Sequence, residues 1–299
     1  MVDITASMVK ELRQRTGLGM MDCKRALSDA NGDIEQAIAD LRKSSGVKAA
    51  KKASRVAAEG VVMTRIAEDG NYGVVVEVNS ETDFAARDDN FLTFANQALD
   101  QAFADPEADV DALLNAGLED ARQALVQKIG ENINVRRVQR LKFDDANQGI
   151  VESYVHNNNR IAVLIALQGG DESLARDIAM HVAAVNPMVV RAEDVPKDVL
   201  AHETEIYSAQ ARASGKPEEI VEKMISGRLG KFIAEISLLE QPFVKEPDIT
   251  ISALLTEAGA DVVGFVRYEL GEGIDKEEVD FADEVAAQAK GSKDPKDDA

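Results

Sequence analysis

Cysteine is almost missing from this chain. The single Cys23 in 299 residues excludes an internal disulfide framework and fits a reducing compartment. Long apolar runs are missing as well, since none approaches the roughly 20 residues of a membrane span. The first residues, Met1-Val2-Asp3-Ile4-Thr5, carry neither a basic region nor a long apolar segment. No signal peptide is expected, and the expected location is cytoplasmic. Basic charge is in short supply: 34 Lys/Arg face 54 Asp/Glu, a formal net charge of −20. That balance argues against a general nucleic-acid binder and against an anionic membrane surface. Catalytic signatures are also lacking. There is no phosphate loop ending in Gly-Lys-Ser/Thr, and Gly17-Leu18-Gly19 lacks the third glycine and the preceding strand of a dinucleotide fingerprint. His156, His181 and His202 lie far apart without metal-ligand spacing. Each fits a packing or surface position better than a catalytic one. Cys23 falls on the apolar face of a predicted helix, which favours burial over nucleophilic use. No cofactor, metal or enzymatic constellation is expected.

What is present begins with enough apolar residues, 45%, for two or three modest cores. Residues 1–45 read as three short helices. Thr5 caps the first, with Met8, Val9 and Leu12 on one face, and Gly17 ends it. Asp22 is the expected cap of the second, which turns Cys23, Ala26, Leu27 and Ala30 inward and stops at Asn31-Gly32. Asp33 and Gln36 have capping-box spacing for the third, which buries Ile34, Ala37, Ile38 and Leu41. Residues 42–58 look like a linker, helical in part at most. Residues 1–60 hold 11 Lys/Arg and 8 Asp/Glu, which is +3 and leaves −23 for the rest. Lys48, Lys51, Lys52 and Arg55 would share a helical face, either as a solvated surface or as a contact for an acidic partner.

From Gly60 the pattern alternates. Val61 to Ile66, a turn at Glu68-Asp69-Gly70-Asn71, and Tyr72 to Val78 predict a β-hairpin. Helical periodicity runs from Phe91 to about Phe103, from Asp109 to Leu118 and from Glu119 to about Ile129, and Asn134 to Phe143 reads as a third strand. The scheme then recurs. Gly149 to Val155, a turn at Asn157-Asn158-Asn159, and Ile161 to Leu167 form a second hairpin; Leu174 to Val185 is its helix and Val262 to Leu270 its closing strand. This is a duplicated sheet-plus-helices unit. Between them, Pro196 to Ala213 and Pro217 to Leu239 predict two long antiparallel helices joined by Ser214-Gly215-Lys216. The stripe Ile220, Met224, Ile225, Leu229, Phe232, Ile233 and Ile236 is either their own seam or a partner site. The charged end from Lys290 to Ala299 is expected to be disordered.

The two copies differ at one connection. In the second, Gln168-Gly169-Gly170-Asp171-Glu172 joins strand to helix; in the first, Asn79 to Asn90 does, and it carries Thr82-Asp83-Phe84. A connection lengthened in one copy is not required for the unit to fold. Phe84 either folds back under its own loop or stands out as a wedge for another surface.

Several motifs in fixed order carry a resemblance: Ile4-Thr5-Ala6, Val9-Lys10-Glu11-Leu12-Arg13, Arg15-Thr16-Gly17, Gly19-Met20-Met21-Asp22-Cys23-Lys24, Ala30-Asn31-Gly32-Asp33, Thr82-Asp83-Phe84, Lys128-Ile129-Gly130-Glu131-Asn132 and Gln241-Pro242-Phe243-Val244. With them the chain resembles the bacterial translation elongation factor Ts family over essentially its full length. The resemblance implies an α+β fold. Residues 1–55 would be a three-helix ubiquitin-associated-like domain with its basic linker. A duplicated core with antiparallel sheets would occupy 56–145 in one half and 146–190 with 241–271 in the other. An inserted antiparallel helical hairpin would span 191–240, and a C-terminal helical module and tail 272–299. It also implies guanine nucleotide exchange on elongation factor Tu, both GDP-bound and nucleotide-free, by a protein that is not itself an enzyme. Thr82, Asp83, Phe84 and Ala85 match the family motif that enters the partner and dislodges its Mg²⁺. Arg13, Gly19, Met20, Met21, Lys24 and His156 are candidate partner contacts, with Met20 and Met21 equally readable as core filler. No direct nucleic-acid contact and no membrane are implied, and a dimer of heterodimers stays open. Two competing readings are an enzyme for a small acidic metabolite, which needs a pocket that no motif supplies, and an RNA-binding factor using Lys48 to Arg55, against which the net charge argues.

Overall fold

The computed structural model of this protein describes residues 2–143, 149–157 and 159–275. It is an α+β fold built on antiparallel sheets. Three helices open it: α1 (Ala6–Thr16), α2 (Met20–Asp29) and α3 (Ile34–Lys52). Val9, Leu12, Leu18, Cys23, Leu27 and Ala37 form their core. Thr5 accepts the Met8 N–H, and Gly17 closes α1 in the left-handed region at φ 68°. Two expected caps differ. Gly19, with no side-chain bond, precedes α2. Asp22 lies inside the first turn, where its carboxylate meets the positive end of the helix dipole. Asp33 does accept the Gln36 N–H, but the Gln36 side chain turns forward to Asp40, so the box is half made.

The expected linker is a correction. Helix α3 continues to Lys52 and packs along α7 (Glu119–Ile129). The packing residues are Ser45, Gly46 and Ala49, small enough for close approach; a Cβ on Gly46 would sit 3.0 Å from Gln123 Oε1. Small residues leave no apolar stripe in a sequence. The shared cationic face is also corrected, because Arg55 lies beyond the helix end and Lys52 Nζ donates to Gly130 O.

Strands β1 (Glu59–Ile66), β2 (Tyr72–Ser80) and β3 (Ile133–Lys142) form one antiparallel sheet with β2 central. Strands β4 (Ile150–His156), β5 (Ile161–Gln168) and β8 (Asp261–Glu269) form a second with β5 central. The sheets face each other across Val62, Val75, Ala162, Leu164, Tyr268 and Leu270. Their outer faces carry α5 (Asp89–Ala104) with α7, and α8 (Glu172–Val185), respectively. This sandwiching explains the central strands. Val74, Val76 and Val78 face the helices while Val75 faces the other sheet, so β2 reads as a continuous apolar run.

Glu77, on the sheet-facing side of β2, is wholly buried. It accepts from Asn79 Nδ2 at 3.0 Å, Arg136 at 3.1 Å, Gly271 N at 2.9 Å and Arg137 Nε. Burial pushes its carboxyl up, but the Gly271, Asn79 and Arg137 hydrogen bonds outweigh that and hold it below its ordinary value. Arg137 also lies 3.9 Å over the Tyr268 ring, so this cluster ties the first sheet to the end of the second.

Four further expectations change. The helix expected from Asp109 to Leu118 is one turn, α6 (Val110–Leu113), followed by a widened turn at Leu114–Leu118 with Gly117 at φ 102°. The long connection after β2 holds a one-turn helix, α4 (Asp83–Ala86). The segment before β8 holds a two-stranded ribbon, β6 (Pro242–Phe243) with β7 (Glu246–Thr250), and α11 (Ile251–Ala258), none of which was expected. Helices α9 (Lys197–Ala213) and α10 (Glu218–Ile236) pair as the hairpin, but most of the α10 stripe is only half-buried, and Ile220 is exposed. Asn158 of the second turn and the expected C-terminal module from residue 276 lie outside the described residues. Among those residues, no helix is long and apolar enough to cross a membrane.

Candidate functional site

Strand β2 ends at Ser80 and α5 starts at Asp89; α4 fills the gap. Thr82 begins this turn as its cap, accepting the Ala85 N–H at 3.2 Å. Ser80 Oγ donates to Thr82 O at 2.9 Å. Ala85 and Ala86 are buried beneath the turn, whereas Phe84 is 79% exposed. An exposed Phe on a turn whose alanines pack inward answers the open question about this loop: the ring is not enclosed by its own chain. Asp83 makes an ion pair with Arg87 one turn on, at 2.8 Å. Ala85, a candidate contact, is covered by the chain's own atoms, and its N–H is already used by Thr82.

The second sheet supplies the other wall. Thr82, Asp83 and Phe84 line a cleft with Glu59 of β1 and Arg160. Arg160 donates to Glu59 Oε2 at 2.8 Å. The turn carrying Arg160 is docked on the first sheet, where Val62 N donates to Asn159 O at 2.7 Å, and is tied to the end of its own sheet, where Leu270 N donates to Arg160 O at 2.8 Å. Asn157 and Asn159 hold the turn with φ of 40° and 62°, a region asparagine tolerates. His156 ends β4 at the base of this turn, half-buried, with Nδ1 2.9 Å from Tyr154 Oη. It does not line the cleft, although its carbonyl accepts the Arg160 N–H. Glu59 and Arg160 escaped the sequence reading. They stand 101 residues apart in sequence, and nothing local marks either.

The remaining candidates gather on the three-helix bundle. Arg13, Met20, Met21 and Lys24 line one groove along α1 and α2, together with Ile4, Ala6, Val9 and Lys10. Met20 and Met21 are 60% and 67% exposed, so neither fills the core. Gly19 is the cap of α2 beside this groove and does not line it. Apolar, adaptable side chains flanked by the three cations Lys10, Arg13 and Lys24 can receive a partner surface that is apolar with an acidic rim. Among the described residues, no three His, Cys, Asp or Glu side chains converge as a metal would need.

Comparison with known proteins places this geometry in a lineage. The sequence profile of the family described as Elongation factor TS matches residues 81–272, which include the Phe84 turn, strand β3 of the first sheet and the whole second sheet. The protein Elongation factor Ts of Hahella chejuensis is 65% identical over 97% of this chain and 100% of its own length. That of Saccharophagus degradans is 60% identical over 97% of this chain and 99% of its own, and that of Citrobacter koseri 55% over 98% and 100%. With such identity across nearly every element described above, this chain belongs to the elongation factor Ts family.

Proposed function

We propose that the chain is a guanine nucleotide exchange factor for elongation factor Tu and promotes GDP release during translation elongation. The observation that carries this reading is Phe84, 79% exposed on a turn that is otherwise pinned down. A GTPase holds GDP through phosphate-loop amides and a Mg²⁺ with near-ideal octahedral geometry. An apolar ring pressed among the elements supporting that metal degrades its coordination, and nucleotide affinity falls with it. Asp83 would exchange its Arg87 partner for groups of the GTPase, and Arg160 on the neighbouring turn, with His156 at the base of that turn, would meet the same surface. The Met20–Met21 groove supplies a second contact that holds the partner while Phe84 works. Both the GDP-bound and the nucleotide-free partner are bound. By linkage, whatever factor this chain removes from GDP affinity, GDP removes from the affinity for this chain. No chemical step by the chain is required.

Stopped-flow release of a fluorescent GDP from elongation factor Tu tests the reading. Addition of the chain is expected to accelerate release in a saturable way. Release unaffected by the chain at any concentration would contradict it.

A further inference from the structure

Two short segments interlock beneath the Phe84 turn. Glu131 accepts the Thr82 backbone N–H on Oε2 at 3.0 Å and the Thr82 hydroxyl on Oε1 at 2.7 Å. In return, Glu81 accepts the backbone N–H of Asn132. Each of two adjacent residue pairs thus gives a carboxylate to the other's main chain. The segment just after α3 joins the same knot, because Asn132 Nδ2 donates to Arg55 O at 2.8 Å and Arg55 pairs with Glu81 at 3.4 Å.

The hydroxyl of Thr82 is already committed. Its one proton goes to Glu131, and it accepts the Ala85 N–H. These bonds give Thr82 a scaffold role in addition to its place in the cleft lining. A four-residue helix cannot hold its own shape, since a first helical turn costs more than it returns. What fixes the direction in which Phe84 leaves the surface is therefore the set of bonds at Thr82 together with the packing of Ala85 and Ala86 beneath the turn. Two of these bonds are charge-assisted and end on a single carboxylate.

We propose that Glu131 is a positioning residue for nucleotide exchange: it fixes the pitch of the Thr82–Ala86 turn and so presents Phe84 ready-oriented to the partner. The inference rests on the exchange reading above. A pre-ordered ring meets its site without an ordering cost at the moment of insertion. Without Glu131 the ring samples other directions, and the loss falls on the step in which it enters. The Met20–Met21 groove, on a separate surface, is left as it was.

The test is saturation kinetics of GDP release from elongation factor Tu with the full chain carrying Glu131→Ala, Glu131→Gln, Thr82→Val, Phe84→Ala, or Glu131→Ala together with Phe84→Ala. Glu131→Ala removes two charge-assisted bonds and is expected to lower the maximal release rate at least about tenfold, the worth of either one alone, with the half-saturating concentration unchanged. Thr82→Val lowers it in the same direction, and Glu131→Gln, which keeps an acceptor for the Thr82 N–H, recovers part of the rate. On the Phe84→Ala background, Glu131→Ala has no further effect. Equal slowing on both backgrounds, or a change confined to the half-saturating concentration, would overturn the inference. If Glu131→Ala fails to fold by circular dichroism, Thr82→Val with and without Phe84→Ala carries the same comparison. Failure of the exchange reading looks different, because there the wild-type chain itself does not accelerate release.

Discussion

Replacing Phe84 by alanine separates what this residue does for its own fold from what it does for a partner. The ring is 79% exposed, so about four-fifths of a Phe side chain remains to be buried on docking. Full burial of Phe is worth roughly 1.5–3 kcal/mol, which leaves roughly 1.2–2.4 kcal/mol here, or about 8- to 60-fold in rate or affinity. The fold should hardly notice. An exposed substitution costs within about 0.5 kcal/mol, and alanine is the better helix former in α4. The assay pairs a urea melt with stopped-flow release of labelled GDP from elongation factor Tu. The expected result is an unchanged midpoint with release slowed by about one order of magnitude. Unchanged release with an unchanged midpoint would remove the ring from the mechanism. Destabilisation beyond about 1 kcal/mol would mean that Phe84 packs against its own chain after all.

Met20→Ala combined with Met21→Ala should raise the half-saturating concentration of the factor roughly tenfold through lost apolar burial, with the maximal release rate and the melting midpoint unchanged. Glu77→Ala removes the carboxylate shared by Arg136 and Arg137 and should cost about 3 kcal/mol in urea denaturation, the lower end for a broken buried pair because both arginines keep partial solvent contact and their bonds to Glu269 and Glu272. The wild-type contribution of Glu77 is complete above the ordinary carboxylate value of 4.5 and is lost as pH falls through its lower folded value. His181 is fully buried between Gln241 and the Val244 N–H, and burial holds its pKa below the ordinary 6.5 despite the Gln241 bond. Its folded form is neutral, so its contribution is intact above 6.5 and declines as pH drops. Unfolding free energies at about pH 7.5 and 5.5 should differ less in His181→Gln than in the wild type.

Much of this fold is legible in the sequence where one local pattern meets one local structure. Alternating residues with Gly70 at the turn give the first hairpin, and Thr5, Gly17 and Asp33 mark helix ends by their own hydrogen bonding. The duplication is legible because Phe91 to Phe103 and Leu174 to Val185 repeat the same periodicity after similar hairpins. Legibility fails where small residues do the packing, as at Ser45, Gly46 and Ala49, since their contribution is closeness rather than apolar area. It fails again for the β6–β7 ribbon, whose strands are too short to show a period and are fixed from outside by His181. At the site, the unusual placement of Phe84 is visible locally. Its neighbours Glu59, Arg160 and Glu131 are not, because each is brought there by sheet pairing or by helix packing from distant parts of the chain.

The central claim is that the Phe84 turn acts on the Mg²⁺ site of the partner. The direct measurement is GDP release from elongation factor Tu at saturating factor, wild type against Phe84→Ala, with Mg²⁺ present and then chelated. The account predicts a clear difference between the two chains in Mg²⁺ that largely vanishes once the metal is gone, because the step the ring assists has already been taken. A difference of the same size with and without Mg²⁺ would contradict it.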